Sequence, residues 1–189
     1  MDKREFLRQI PGVADLLDGA DEVDIKTVTA PITLRELVAA LCSWQPGWVT
    51  FLYRVRWAFV RVLGMTQEGI PQARAMRPED APMTPGDTSG VFPEIDAAED
   101  RYWIAGASES HLAFWLIIAP YPDLLSDGST RFTFTTLVRY NRWIGRVYYF
   151  IVRPFHHLIV GVLLRSVVRQ ATKRATQNAA ETAESAANV

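Results

Sequence analysis

Between Tyr102 and Tyr140 strand-like segments follow one another, and the interruptions are too short for any crossover. Segments at about Gly90–Ala97, Tyr102–Ala107, His111–Ala119 and Arg131–Tyr140 read as strands. Ala98–Arg101 and Ser108–Ser110 are short turns, and Pro120–Ser129 is a longer one with Asp127-Gly128 near its end. Connections of this length force neighbouring strands to run antiparallel. In the last strand Phe132, Phe134, Thr136 and Val138 alternate with Thr133, Thr135, Leu137 and Arg139, so one face is mainly aromatic and aliphatic.

The flanking segments are of another kind. Asp2–Leu17 reads as short helical turns broken at Pro11-Gly12. Asp21–Thr29 has period two and predicts a half-buried strand, stopped by Ala30-Pro31. Thr33 followed by Glu36 is a capping box that opens a helix to about Ser43. Pro46-Gly47 breaks it, and a second helix runs from Trp48 to about Leu63, with Val49, Leu52, Tyr53, Arg56, Phe59, Val60 and Leu63 on one broad face. Ile70–Ser89, with four prolines and a glycine, reads as a long surface loop, with a short strand at Met65–Ile70 before it. A final helix starts near Gly145 and runs to about Ala175. Val147, Phe150, Ile151, Phe155, Leu158, Val162 and Leu163 recur along it, and Pro154 predicts a kink or restart. The reading is an N-terminal helical segment over 1–20, one domain over 21–171, and a flexible tail over 172–189.

Helices segregated from strands in this order indicate an α+β protein. The expected architecture is the helix-grip (START-like) fold, a curved antiparallel sheet wrapped around a long C-terminal helix, with two short helices after the first strand. Four stretches carry a resemblance: DEVDIKTVTAPITLRELV, the helix containing QPGWV, FLYRVR and FVRVLGM, RYWIAGASESHLAFWL in the sheet, and RPFHHLIVGVLLR in the last helix. Across about Asp21–Arg169 the chain resembles an uncharacterised bacterial family, domain-of-unknown-function family 2867, of the START-like, polyketide cyclase-like (SRPBCC) superfamily. The resemblance implies a hydrophobic ligand cavity and carries no established activity. Relatives of this domain occur fused behind a nicotinamide-binding Rossmann domain. This chain has no GxGxxG, so a dinucleotide site is not expected, and no cofactor is implied.

With six Trp, six Tyr and nine Phe the chain has enough large aromatics to line a cavity as well as fill a core. The residues expected to contact a hydrophobic or amphipathic ligand are Trp103, Trp115, Phe134, Phe150, Arg139, Arg153, His156 and His157. The arginines would grip a carboxylate or phosphate at a cavity mouth, and the histidines would anchor its polar end. The competing reading makes the arginines surface ion-pair partners and the histidines structural. No catalytic residue is assigned. An inward Asp24 with His156 would instead supply acid–base chemistry of the cyclase or dehydratase type, although an exposed Asp24 is the favoured reading. His111 reads as a hydrogen-bonded turn histidine, because GxSxG is absent. His156 and His157 point about 100° apart on a helix and HExxH is missing, so no metal site is expected.

Cys42 is the single cysteine and excludes an intrachain disulfide. The net charge of −1 hides a segregation: Gly128–Ala180 carries nine basic residues and no acid, whereas Glu79–Glu109 is acidic. A slightly acidic chain whose basic segment is rich in Val, Leu and Phe argues against nucleic-acid binding. It leaves contact with an anionic membrane or a protein partner through the basic helix as a further alternative. Arg153, His156, His157 and Arg165 interrupt the most apolar run, so a spanning helix is not expected, and without a leader the default address is cytoplasmic. Oligomeric state is not readable.

Overall fold

A computed structural model describes residues 2–62, 75–87, 94–123, 125–126 and 128–187. In chain order these form α1 (Lys3–Arg8), α2 (Val13–Asp18), β1 (Glu22–Ala30), α3 (Leu34–Ser43), α4 (Gly47–Val62), β2 (Glu94–Ala98), β3 (Tyr102–Ser108), β4 (Leu112–Pro120), β5 (Thr130–Tyr140) and α5 (Trp143–Ala187). The protein is α+β, with a curved five-stranded antiparallel sheet in the order β1-β5-β4-β3-β2 and a long C-terminal helix, an arrangement consistent with a helix-grip fold.

Local chemistry places the boundaries. Gly12 adopts φ +74° and lets α1 turn into α2. Thr33 and Glu36 form the reciprocal capping box that starts α3, the Thr33 amide donating to Glu36 Oε2 at 2.7 Å. Pro154 lies inside α5, which continues through it to Ala187, so there is no helix restart at that position. The short strand expected at Met65–Ile70 lies outside the described residues. The segment after it is only partly a surface loop. Ala81 and Met83 are buried, and the Pro82 carbonyl accepts a hydrogen bond from Trp103 Nε1 at 2.8 Å.

The register divides the sheet into two faces. Glu22, Asp24, Lys26 and Val28 of β1 stand opposite Val138, Thr136, Phe134 and Phe132 of β5. Period two puts all eight on one face. That face receives α5 and α3. Trp103, Phe132 and Phe134 pack there with Leu34, Leu37, Val38, Val160, Leu163, Leu164 and Val167. The other face carries Val23, Ile25, Ile104, Ile117 and Leu137, and α1 and α2 cover it with Phe6, Leu7, Ile10 and Val13. The first twenty residues thus close a second core.

The start of α5 is fastened to the β3–β4 turn. The His111 carbonyl accepts hydrogen bonds from the amides of Asn141 at 3.0 Å and Arg142 at 3.2 Å. A Cβ on Gly145 would stand 2.2 Å from that same carbonyl oxygen, so glycine is what allows this close approach.

Candidate functional site

Seven residues after the start of α5, its inner face passes over the beginning of β1, and the interface becomes polar. Asp24 points toward the helix with 23% of its side chain exposed. The favoured sequence reading had it facing solvent. Parity decides otherwise: Val23 and Ile25 serve the core under α1 and α2, so Asp24 and Lys26 must face α5.

Asp24 pairs with Lys26, and its Oδ2 lies 3.2 Å from His157 Nδ1. Lys26 Nζ is 3.1 Å from the same nitrogen, and Arg153 Nε donates to His157 Nε2 at 3.4 Å. Arg153 also lies 3.6 Å from Glu22, which accepts a hydrogen bond from the Tyr140 hydroxyl at 3.1 Å. His157 Nε2 accepts from Arg153, and Nδ1 lies between the Lys26 ammonium, which can only donate, and the Asp24 carboxylate.

His156 occupies the next position and sits deeper. Burial holds its imidazole down at about 4, against the opposing pull of Asp24. Among the described residues its buried Nε2 has no hydrogen-bond partner, and neither has Thr136 Oγ1. Thr136 is directly across the ladder from Asp24 on the same face. The group Asp24, Lys26, Thr136, His156 and His157 is therefore one constellation, with two polar atoms left unmatched inside it.

A second polar group lies where α4 meets α5 and the β3–β4 turn. Arg56 Nε donates to the Tyr148 hydroxyl, and the Arg56 guanidinium is 3.4 Å from Glu109. His111 is 1% exposed, and among the described residues neither ring nitrogen is hydrogen-bonded, although Nδ1 is 3.5 Å from Glu109 Oε2. Burial pushes the His111 imidazole down from its ordinary value, against the opposing pull of Glu109. This differs from the expected hydrogen-bonded turn histidine. The signal for the cluster was an arginine on the apolar face of α4, at Arg56.

The remaining expected ligand contacts scatter. Trp103 and Phe134 lie on the face under α5 but are packed into the core there. Trp115 and Arg139 are on the opposite face, outside the sheet–helix interface. The Trp115 ring lies across Gly106, and the Arg139 guanidinium sits 5.2 Å from the ring centroid. Phe150 points outward and is 80% exposed, because the inner positions of that turn belong to Tyr148 and Tyr149. Arg153, His156 and His157 are brought together. A shallow cavity of about 370 Å³ lies at the far end of the sheet, lined among others by Pro31, Thr33, Asp100, Pro120 and Thr130; α5 contributes no residue to it. Among the described residues no group of three or more His, Cys, Asp or Glu could hold a metal ion.

A family model described as protein of unknown function (DUF2867) matches residues 14–163. The chain belongs to that family. The matched span of DUF2867 takes in α2, the whole sheet, α3, α4 and α5 through Leu163, so both polar groups lie within it. No curated protein and no solved structure matches this DUF2867 chain. By length and composition α5 from Trp143 to Arg174 is able to cross a membrane, with a window of mean hydropathy 1.5 of which 28% is buried. The interrupting charges at Arg153 and Arg165 do not remove it from that class. The core helix of a soluble protein meets the same criteria.

Proposed function

We propose that this DUF2867 protein acts in the cytoplasm as a binder of an amphipathic small molecule, of lipid, acyl or polyketide-like character, and that the family belongs to the START-like superfamily. The polar end of the ligand is held where α5 crosses β1 and β5. The observation that carries this reading is the pair of unmatched buried atoms, His156 Nε2 and Thr136 Oγ1, beside Asp24 and His157. A buried polar atom without a partner costs about 1–3 kcal/mol, and a ligand carbonyl, hydroxyl or carboxylate relieves that cost.

The test is native mass spectrometry of the purified chain for a retained ligand, followed by displacement of a fluorescent fatty acid. His156→Leu and Thr136→Val are each expected to weaken binding about tenfold, the worth of one hydrogen bond, while the fold persists. A chain that retains nothing and binds no apolar probe contradicts the reading.

A second reading is favoured by one contact. The 3.2 Å approach of Asp24 to His157 is what a general base and its orienting carboxylate require. In that case the bound molecule would undergo proton abstraction, as in a cyclisation or dehydration. Once the ligand is known, turnover that disappears in Asp24→Asn with binding retained would establish catalysis. Binding without conversion would restrict the protein to the first role.

A further inference from the structure

The outer side of α5 is as ordered in chemistry as its inner side. Trp143, Val147, Phe150, Ile151, Phe155 and Leu158 are exposed, Trp143 at 77% and Phe150 at 80%. Their spacing of three, four and seven residues puts them on one stripe, opposite the inward Tyr148, Val152, His156 and Leu163. Beside it α4 packs Val60 against the cluster that holds Tyr148 and places Arg56 over the Tyr148 ring. This turns Trp48, Phe51 and Val55 of α4 outward, Phe51 at 62% exposure. Among the described residues α4 and α5 therefore each present an exposed apolar stripe, far more than the scattered exposed apolar residues of an ordinary surface.

Charge identifies the partner. The α4 segment 47–62 contains Arg54, Arg56 and Arg61 and no acid, and 142–174 contains seven basic residues and no acid, in a chain whose net charge is −1. Arg142 and Arg146 are exposed along the flank of the α5 stripe. We propose that the outer faces of α4 and α5 form a docking surface for an anionic lipid bilayer, with the apolar stripes entering the boundary of the acyl chains and the arginines meeting the head groups. Trp143, at one end of the stripe, has the amphipathic ring suited to that boundary.

Two other occupants fit less well. A second copy applied to the same surface would set one all-basic rim against another. A spanning α5 would require lipid on every side, yet its inner face is packed into the core from Tyr148 to Val168. A bilayer surface satisfies both the apolar stripe and its basic margin. The inference concerns the outside of α5 and stands independently of any ligand within.

The experiment is flotation of the full chain with phosphatidylcholine vesicles, with and without about one third phosphatidylglycerol. Binding is expected to the anionic vesicles, to fall about tenfold or more in high salt, and to fall about tenfold or more again in Phe150→Asp and in Arg142→Glu combined with Arg146→Glu. Circular dichroism melts establish that the variants fold, and Phe51→Ser replaces Phe150→Asp if that variant does not. Absence of flotation, or flotation unchanged by these substitutions, overturns the proposal. Resistance to carbonate extraction would mark a spanning helix and also overturns it. A dimer seen by light scattering, abolished by Phe150→Asp in a chain that ignores vesicles, assigns the surface to a second copy instead.

Discussion

The inner face of α5 meets the same sheet in two ways. From Val160 to Val168 it packs Val160, Leu163, Leu164 and Val167 against Trp103, Phe132 and Phe134, and the space is filled with apolar side chains. From Tyr149 to His157 it meets Glu22, Asp24, Lys26 and Thr136, and polar atoms remain unmatched. The first region obeys close packing. The second departs from the rule that buried polar groups find partners. Where one helix and one sheet produce both kinds of contact, the apolar half serves as the anchor, and the polar half is where selection for something other than stability is legible.

Four measurements bear on this contrast. The largest effect belongs to the anchor. Phe132 is fully buried, and Phe132→Ala should lower unfolding free energy by about 3–5 kcal/mol in denaturant titration. A loss under about 1 kcal/mol would mean that the apolar half does not hold the helix.

Next comes pH. The folded value of His156, about 4, is below its ordinary 6.5, so the unfolded chain takes up the proton first as pH falls. The stability linked to His156 is complete above about pH 6.5 and is lost between there and about pH 4, by on the order of 2–3 kcal/mol. Subtracting the pH dependence of His156→Gln from that of the native chain isolates this part. Parallel curves would show that His156 is not held neutral by burial.

A smaller loss is expected for Asp24→Ala, about 1–2 kcal/mol, because Lys26 and His157 are left without their carboxylate in a partly exposed setting. Asp24→Leu combined with Lys26→Met should recover it, since replacing both members of a pair is far milder than removing one. If the double variant is worse than the single one, the polar half contributes to stability after all.

The smallest change tests the outside. Phe150→Ser, at a position 80% exposed, should shift stability by no more than about 0.5 kcal/mol. A larger loss would mean that the outer stripe is packed against something in the free protein.

Much of the framework was legible in the residues. Alternation located β1 and β5, turn residues delimited β3 and β4, short turns imposed antiparallel order, and Thr33 with Glu36 marked the start of α3. The face of Phe132, Phe134, Thr136 and Val138 was read correctly because polar threonines alternate with apolar residues. In β4 the run LAFWLIIAP is apolar throughout, so parity cannot be read from it, and Trp115 was assigned to the wrong side. Gly106, opposite it in the register, was the available clue. The first half of α5 misled in a similar way, because apolar residues lie on both its inner and outer faces and spacing alone does not separate Phe150 from Tyr149. The meeting of Asp24 with His157 depends on the rotation of α5 about its own axis, which is fixed by packing distant in sequence.

Gly145 against the His111 carbonyl has a consequence for traffic. The start of α5 is pinned at that contact, and its middle is pinned by Val160–Val168. A rod held at two points cannot swing open like a trapdoor. His156 lies eleven residues from the pin, about 16 Å along the axis, between the two fastenings. Among the described residues β1 is an edge strand, so a sideways approach runs past its rim, where the Arg153–Glu22 bridge is the latch.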